Sequence, residues 1–192
     1  EQACRLADYC GGLPSRDFPQ LEKHLDVVFS LAKQLGKPVE VHVDQENNPL
    51  QNETELLALK TIEHGLQGRV YAIHAISLGA KDDREQARVI EKIREADLGV
   101  IICPSAALSM KQLPMVAPLH NSIAPFPKLR EAGVRCYLGV DNIHDLFMPF
   151  VDGDIWTEAR IMMEACRFYE LDAVAAWACA KPGEEPVALE KA

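Results

Sequence analysis

VEVHVDQENNP, residues 39–49, is the stretch that decides the reading of this chain. Val39, Val41 and Val43 alternate with Glu40, His42 and Asp44. A strand sends successive side chains to opposite faces. One face here is therefore apolar, and the other carries a carboxylate, an imidazole and a second carboxylate.

Working outward, helical and strand periods alternate. Leu21, Leu25, Val28, Leu31, Ala32 and Leu35 follow helical spacing and predict a helix over 17–35, stopped by Gly36. After the strand at 38–44, Asn52 with Glu55 three residues on reads as a capping box. The helix it opens has Leu56, Leu59 and Ile62 as its apolar stripe and ends at Gly65. The strand RVYAIHA (69–75), a helix over 83–96, the strand LGVIIC (98–103) and the strand RCYLGVD (135–141) follow. Between the last two lies an irregular, proline-rich stretch, PSAALSMKQLPMVAPLHNSIAPFP, with a short helix at 128–131. A loop that long inside a compact domain is usually functional. CRLADYC (4–10) makes a weaker first strand, and helices at 155–169 and 171–180 close the chain, with Trp156 and Trp177 packing in them. Short connections between alternating helices and strands predict an α/β fold with a parallel sheet of five strands. No Gly-rich phosphate fingerprint follows any of them.

With 192 residues the chain is long enough for one domain with a real core. A net charge of −9 and the lack of any long basic run argue against a nucleic-acid surface. No apolar run approaches the roughly 20 residues of a membrane span, and no signal peptide is visible. Six cysteines without a C-x-x-C pair, most of them in apolar runs, read as reduced, buried thiols and point to the cytoplasm. The first residue is Glu1, which reads as a trimmed chain or a piece of a longer one.

Three polar residues close apolar strands: His42 closes VEVH, His74 closes VYAIH and Asp141 closes YLGVD. In barrels of repeated βα units the active site lies at those C-terminal ends. A buried strand-end carboxylate needs a partner or a cation, and imidazole with carboxylate suits zinc or iron. A lone strand histidine is more often simply a satisfied polar group; three such residues at intervals of one and two βα units point to a metal or catalytic site. His24, His64 and His120 read as surface or structural.

VEVHVDQENNP, then GLQGRVYAIHAISLG, then GVDNIHDLFMPFVDGD resembles the amidohydrolase superfamily, with closest similarity to cytosine deaminases and N-isopropylammelide isopropylaminohydrolase. The resemblance runs from about residue 4 to residue 180. It implies a partial (β/α)8 TIM barrel: residues 1–180 would supply about the last five βα units, strands 4 to 8 of the family, with C-terminal helices. Residues 181–192 would be a tail or the start of a missing segment. It implies a metal-dependent hydrolase of C–N bonds other than peptide bonds in a cyclic, nitrogen-rich small molecule, with metal-bound hydroxide attacking an aminated ring carbon. One divalent metal, zinc or iron, would be held by His42 and Asp141. Asp141 would also be the base, and His74 would hydrogen-bond the water or the substrate. Gln45, Asn142 and Phe147 would line the substrate, Phe147 as an aromatic wall.

Two departures matter. Cytosine deaminases carry Glu three residues after the strand histidine, where Gln45 stands. A glutamine donates a hydrogen bond but exchanges no proton, so the substrate needs recognition there or Asp44 supplies the acid. The family's H-x-H, two further metal ligands, has no counterpart in this sequence. Five strands would leave two open edges, so self-association, or pairing with a missing N-terminal half, is expected. The metal site would then be incomplete in this chain alone. The alternative is a catalytically inactive fragment stabilised by self-association.

Overall fold

The computed structural model describes residues 1–109, 122–180 and 183–184. In chain order the elements are α1 (Gln2–Leu6), β1 (Cys10–Gly12), a 3-10 turn (Pro14–Asp17), α2 (Leu21–Leu35), β2 (Val39–Val43) and α3 (Glu53–His64). Then come β3 (Val70–His74), α4 (Ile76–Ala80), α5 (Asp83–Glu95), β4 (Gly99–Ile102), α6 (Pro104–Ser109) and α7 (Phe126–Glu131). β5 (Arg135–Leu138), α8 (Ile155–Cys166) and α9 (Leu171–Cys179) complete the order. The five strands form one sheet in the order β1-β2-β3-β4-β5, every neighbouring pair parallel. The α/β class and the parallel sheet are as predicted.

Strand alternation divides the core in two. Val39, Val41, Val43, Val70, Ala72, Val100, Ile102, Cys136 and Leu138 face the helices and join the larger apolar cluster with Leu25, Phe29, Ala32, Leu57 and Ile93. The other face carries Tyr71, Ile73, Ile101, Cys103 and Tyr137, packed with Met148 and flanked by Tyr9, Val151 and Ala180. Each fully buried aliphatic or aromatic side chain contributes about 1.5–3 kcal/mol, so the helix-bearing face dominates the fold's stability. Gly36 and Gly65 end α2 and α3 in the left-handed conformation, the role their sequence positions imply.

Several local expectations are corrected. CRLADYC is not a strand; α1 occupies 2–6 and β1 starts only at Cys10. The predicted helix at 17 begins at Leu21, after the 3-10 turn. The buried stripe of α3 is Thr54, Leu57, Ala58 and Thr61, whereas Leu59 and Ile62 are exposed. The apolar residues of that helix spread over more than one face, and the neighbours α2 and α5 select which face is covered. β5 ends at Leu138, so Asp141 lies in the following loop. Trp177 is buried, but Trp156 is half exposed. Of the proline-rich stretch, 104–109 is helical, and 110–121, with His120, lies outside the described residues. The six cysteines are free thiols; Cys10, Cys103 and Cys136 are buried, and Cys179 is exposed. Among the described residues no helix is long and apolar enough to cross a membrane.

Gly99 is a point of close approach. A Cβ there would stand 2.5 Å from Cδ1 of Tyr71 and 3.1 Å from Cε2 of Tyr137. The two rings, 5.7 Å apart edge to face, lie across β4 only because Gly99 has no side chain. Gly99→Ala is expected to destabilise the fold by about 1–3 kcal/mol, the usual cost of overpacking. Urea unfolding monitored by circular dichroism checks this; an unchanged midpoint would show that the rings are free to move aside.

Candidate active site

The site is built at the C-terminal edge of the sheet. The β2–β3 register pairs His42 with Ile73 and Val43 with His74. Cross-strand partners share a face, so continued alternation would send His74 toward the helices with Val43. It does not go there. His74 adopts φ +80° and the following Ala75 φ +50°. This turn brings Nε2 of His74 to 3.1 Å from Nδ1 of His42. Asp141, also left-handed at φ +73°, reaches across from the loop after β5, its Oδ2 3.9 Å from Nε2 of His74. One donor atom from each of His42, His74 and Asp141 lies within 4.8 Å of the other two.

Burial sets the protonation. His74 is 2% exposed, and desolvation, followed by the neighbouring His42, pushes its pKa down to about 3. Desolvation also lowers His42, against the pull of the Asp141 carboxylate. Both imidazoles are therefore neutral near pH 7, with lone pairs to offer. Burial raises Asp141, with His42 opposing. Nδ1 of His74 is buried without a hydrogen-bond partner among the described residues. The donor set fits a metal ion: ligand atoms on a tetrahedral zinc stand about 3.3 Å apart for Zn–N distances of about 2.0–2.1 Å, close to the imidazole separation. His42 and Asp141 are two of the three or more protein ligands that zinc hydrolases use, and His74 stands beside them.

The remaining sequence candidates lie on two loops at the same edge. Gln45 is half-buried just beyond β2. Asn142 is half-buried next to Asp141, and its amide donates to the Asp145 carboxylate. Asp145 also accepts from the backbone amides of Phe147, at 2.9 Å, and Met148, at 2.7 Å. The Phe147 ring is three-quarters exposed.

Asp44 is not available as the site's acid. It is 1% exposed and accepts from the amides of Glu53 (2.8 Å) and Thr54 (3.1 Å), while its own amide donates to the Glu53 carboxylate (2.9 Å). It thus supplies the N-terminal cap of α3 that Asn52 and Glu55 were expected to supply. Asn52 makes no side-chain cap bond, and Glu55 instead pairs with Arg88. One buried group was missed altogether. Glu158, on α8 and 1% exposed, accepts from the Ser105 amide at 2.8 Å and so ties α8 to the start of α6. Burial raises its pKa. In the sequence it is an ordinary helical glutamate, and nothing local marks it.

No family model matches the chain. An uncharacterized protein of Haemophilus influenzae is 41% identical over 123 residues, covering 62% of this chain and 45% of that protein. The N-isopropylammelide isopropyl amidohydrolase of a Pseudomonas species is 28% identical over 155 residues, 80% of this chain and 35% of that protein. The 5-methylcytosine deaminase of Klebsiella pneumoniae, solved with 5-fluorocytosine, superposes with a TM-score of 0.81 at 22% identity, covering 89% of this chain and 42% of that one. The chain resembles the amidohydrolase superfamily. Its five-stranded sheet matches part of an amidohydrolase barrel, and it spans less than half the length of these curated relatives. A zinc-bound adenosine deaminase from Xanthomonas campestris shares the fold at a TM-score of 0.55 and 22% identity, covering 88% of this chain and 33% of that one.

The buried imidazoles make stability depend on pH in a definite direction. His74 binds a proton in the unfolded chain near 6.5 but resists it in the fold down to about 3. Between those values the unfolded state holds more protons, so stability rises with pH. In metal-free protein this contribution is complete above about 6.5 and is lost as pH falls toward 3. Stability measured from pH 4 to 7 should flatten in His74→Gln relative to the unsubstituted chain, and an unchanged slope would show that His74 is not the group responsible.

Proposed function

We propose that this chain carries the C-terminal part of a metal-dependent hydrolase that cleaves a C–N bond, other than a peptide bond, in a cyclic nitrogen-rich small molecule. The observation that carries the reading is the meeting of His42, His74 and Asp141 at the C-terminal edge of the sheet. They come from β2, the end of β3 and the loop after β5, with left-handed backbone at His74 and Asp141. Residues 1–180 would form the barrel portion, strands 4 to 8, and a cytoplasmic location fits the free thiols.

His42 and Asp141 would hold one zinc or iron ion, with His74 beside them. That ion would supply a water acidified toward neutral pH and polarise the substrate. The protein's own groups do the rest. Asp141 takes the proton released as the water oxygen bonds to the aminated ring carbon, and returns it to the nitrogen that leaves as ammonia or an amine. Neutral His74 donates a ring N–H to the oxygen on which charge develops. The Gln45 amide and Asn142 would meet ring heteroatoms, Gln45 by hydrogen bonding alone, and Phe147 would close over the ring face.

A second reading, a silent fragment held by self-association, is favoured by one feature. Among the described residues β1 and β5 are the unpaired edges of the sheet, templates for another chain. Pairing with a complementary half would satisfy the same edges and complete the metal site.

Elemental analysis of chelator-free protein should find close to one zinc or iron per chain, reduced in His42→Ala and Asp141→Asn. Turnover of aminopyrimidines and aminotriazines should fall in Asp141→Asn by a factor of at least about 10²–10⁴, the range for a lost general acid–base. Retained turnover would overturn the assignment, and a metal-free, inactive chain would favour the silent fragment.

A further inference from the structure

The turn that carries Gln45 is not held by β2 alone. Lys81, directly after α4, is 9% exposed, and its ammonium points back into that turn. It donates to the carbonyls of Pro49 and Gln51, the latter at 2.6 Å, and to Oδ1 of Asn52 at 2.9 Å. Three N–H donors meet three neutral oxygens, so the cation's hydrogen bonds are satisfied without a carboxylate. Ser77, on α4, adds a second tie. Its hydroxyl lies 2.7 Å from the Glu46 carbonyl and 2.6 Å from Oε1 of Gln51, and its amide donates to the Asp44 carbonyl at 3.1 Å. Gln86 of α5 fixes Lys81 in turn, donating to its carbonyl at 2.9 Å.

The consequence falls on one residue. Asp44 is locked by Glu53 and Thr54, and Glu46 is locked by Ser77 and by the side chain of Gln51. Gln45 stands between them with both neighbours fixed. The helix that does the locking follows His74 after a single residue, so the turn after β2 and the histidine ending β3 are set by one body. Burying an ammonium is costly, even where the Asp44 and Glu55 carboxylates feel its charge. What the cation provides instead is direction, through three bonds of defined geometry.

We infer that Lys81, assisted by Ser77, is a positioning residue that holds the 44–52 turn so that Gln45 is presented to the substrate ring beside His42 and His74. This rests on the functional reading above, in which Gln45 recognises the ring.

The test uses the full chain with Lys81→Met, and Ser77→Ala as the milder second variant should the first fail to fold. Three quantities are read: amide exchange at Asn48, Leu50 and Gln51, zinc affinity by competition with a chromophoric chelator, and affinity of the zinc-loaded protein for cytosine and for an alkylamino-triazine. Exchange in the turn should quicken about tenfold or more as its local stability drops. Ring affinity should fall about tenfold in Kd, while zinc affinity stays within about twofold of the unsubstituted chain. A merely structural residue would lower ring and zinc affinity together, which overturns the inference. So does unchanged exchange, or quickened exchange with full ring affinity. An unsubstituted chain that binds no zinc, or zinc but neither ring, overturns the functional reading itself, and the inference with it.

Discussion

Parallel pairing of β2 with β3, in register from Val39 against Val70 to Val43 against His74, sets the height of everything at the working edge. It carries His42 and His74 to the same end of the sheet although 31 residues lie between them. The neighbouring pairs β3–β4 and β4–β5 extend that edge to the loop of Asp141. A parallel sheet requires each strand to be followed by a return crossover, and here the described helices pack mainly on the valine-rich face. The opposite face is left for Glu40, His42, Tyr71, Ile73 and Tyr137.

Alternation alone would still not assemble the site. His74 is out of phase with His42 by one residue, and the left-handed backbone at its position makes good the difference. Such a conformation costs on the order of 1–3 kcal/mol for a residue with a Cβ. Burying an imidazole so deeply that it stays neutral down to about pH 3 adds a desolvation cost. These unfavourable terms sit together at one edge, next to a core whose fully buried residues, Phe29, Leu25, Leu57 and Ile93 among them, offset them.

Much of this was legible in the residues. The valine alternation, the glycine stops and the helical periods give the parallel α/β architecture nearly element by element. His42, His74 and Asp141 announce themselves by ending apolar runs. What failed were features that depend on a distant neighbour. CRLADYC has apolar residues compatible with a strand, yet α1 forms there, with Lys37 from beyond α2 donating to the carbonyls of Cys4, Arg5 and Ala7. The exposed face of α3 differs from the one its leucines suggest, because α2 and α5 decide what is covered. Lys81 and Glu158 look like any surface lysine and helical glutamate until the fold buries them.

Asp44 and Asp141 make the sharpest case. Both follow apolar strands, both are left-handed, and both are acids raised by burial. Their work differs because of what folds back on each. The chain after Asp44 returns within ten residues, and the free amides at the start of α3 take both of its oxygens. An acid so engaged and 1% exposed serves the start of α3. After Asp141 the chain turns through a loop organised by a different acid, Asp145, which accepts the amides of Phe147 and Met148 and the side chain of Asn142. Asp145 therefore does for its loop what Asp44 does for α3, and Asp141 is left to face the two imidazoles. After β2 the acid next to the strand caps the helix that follows; after β5 a later acid organises the loop, and the one nearer the strand faces the imidazoles.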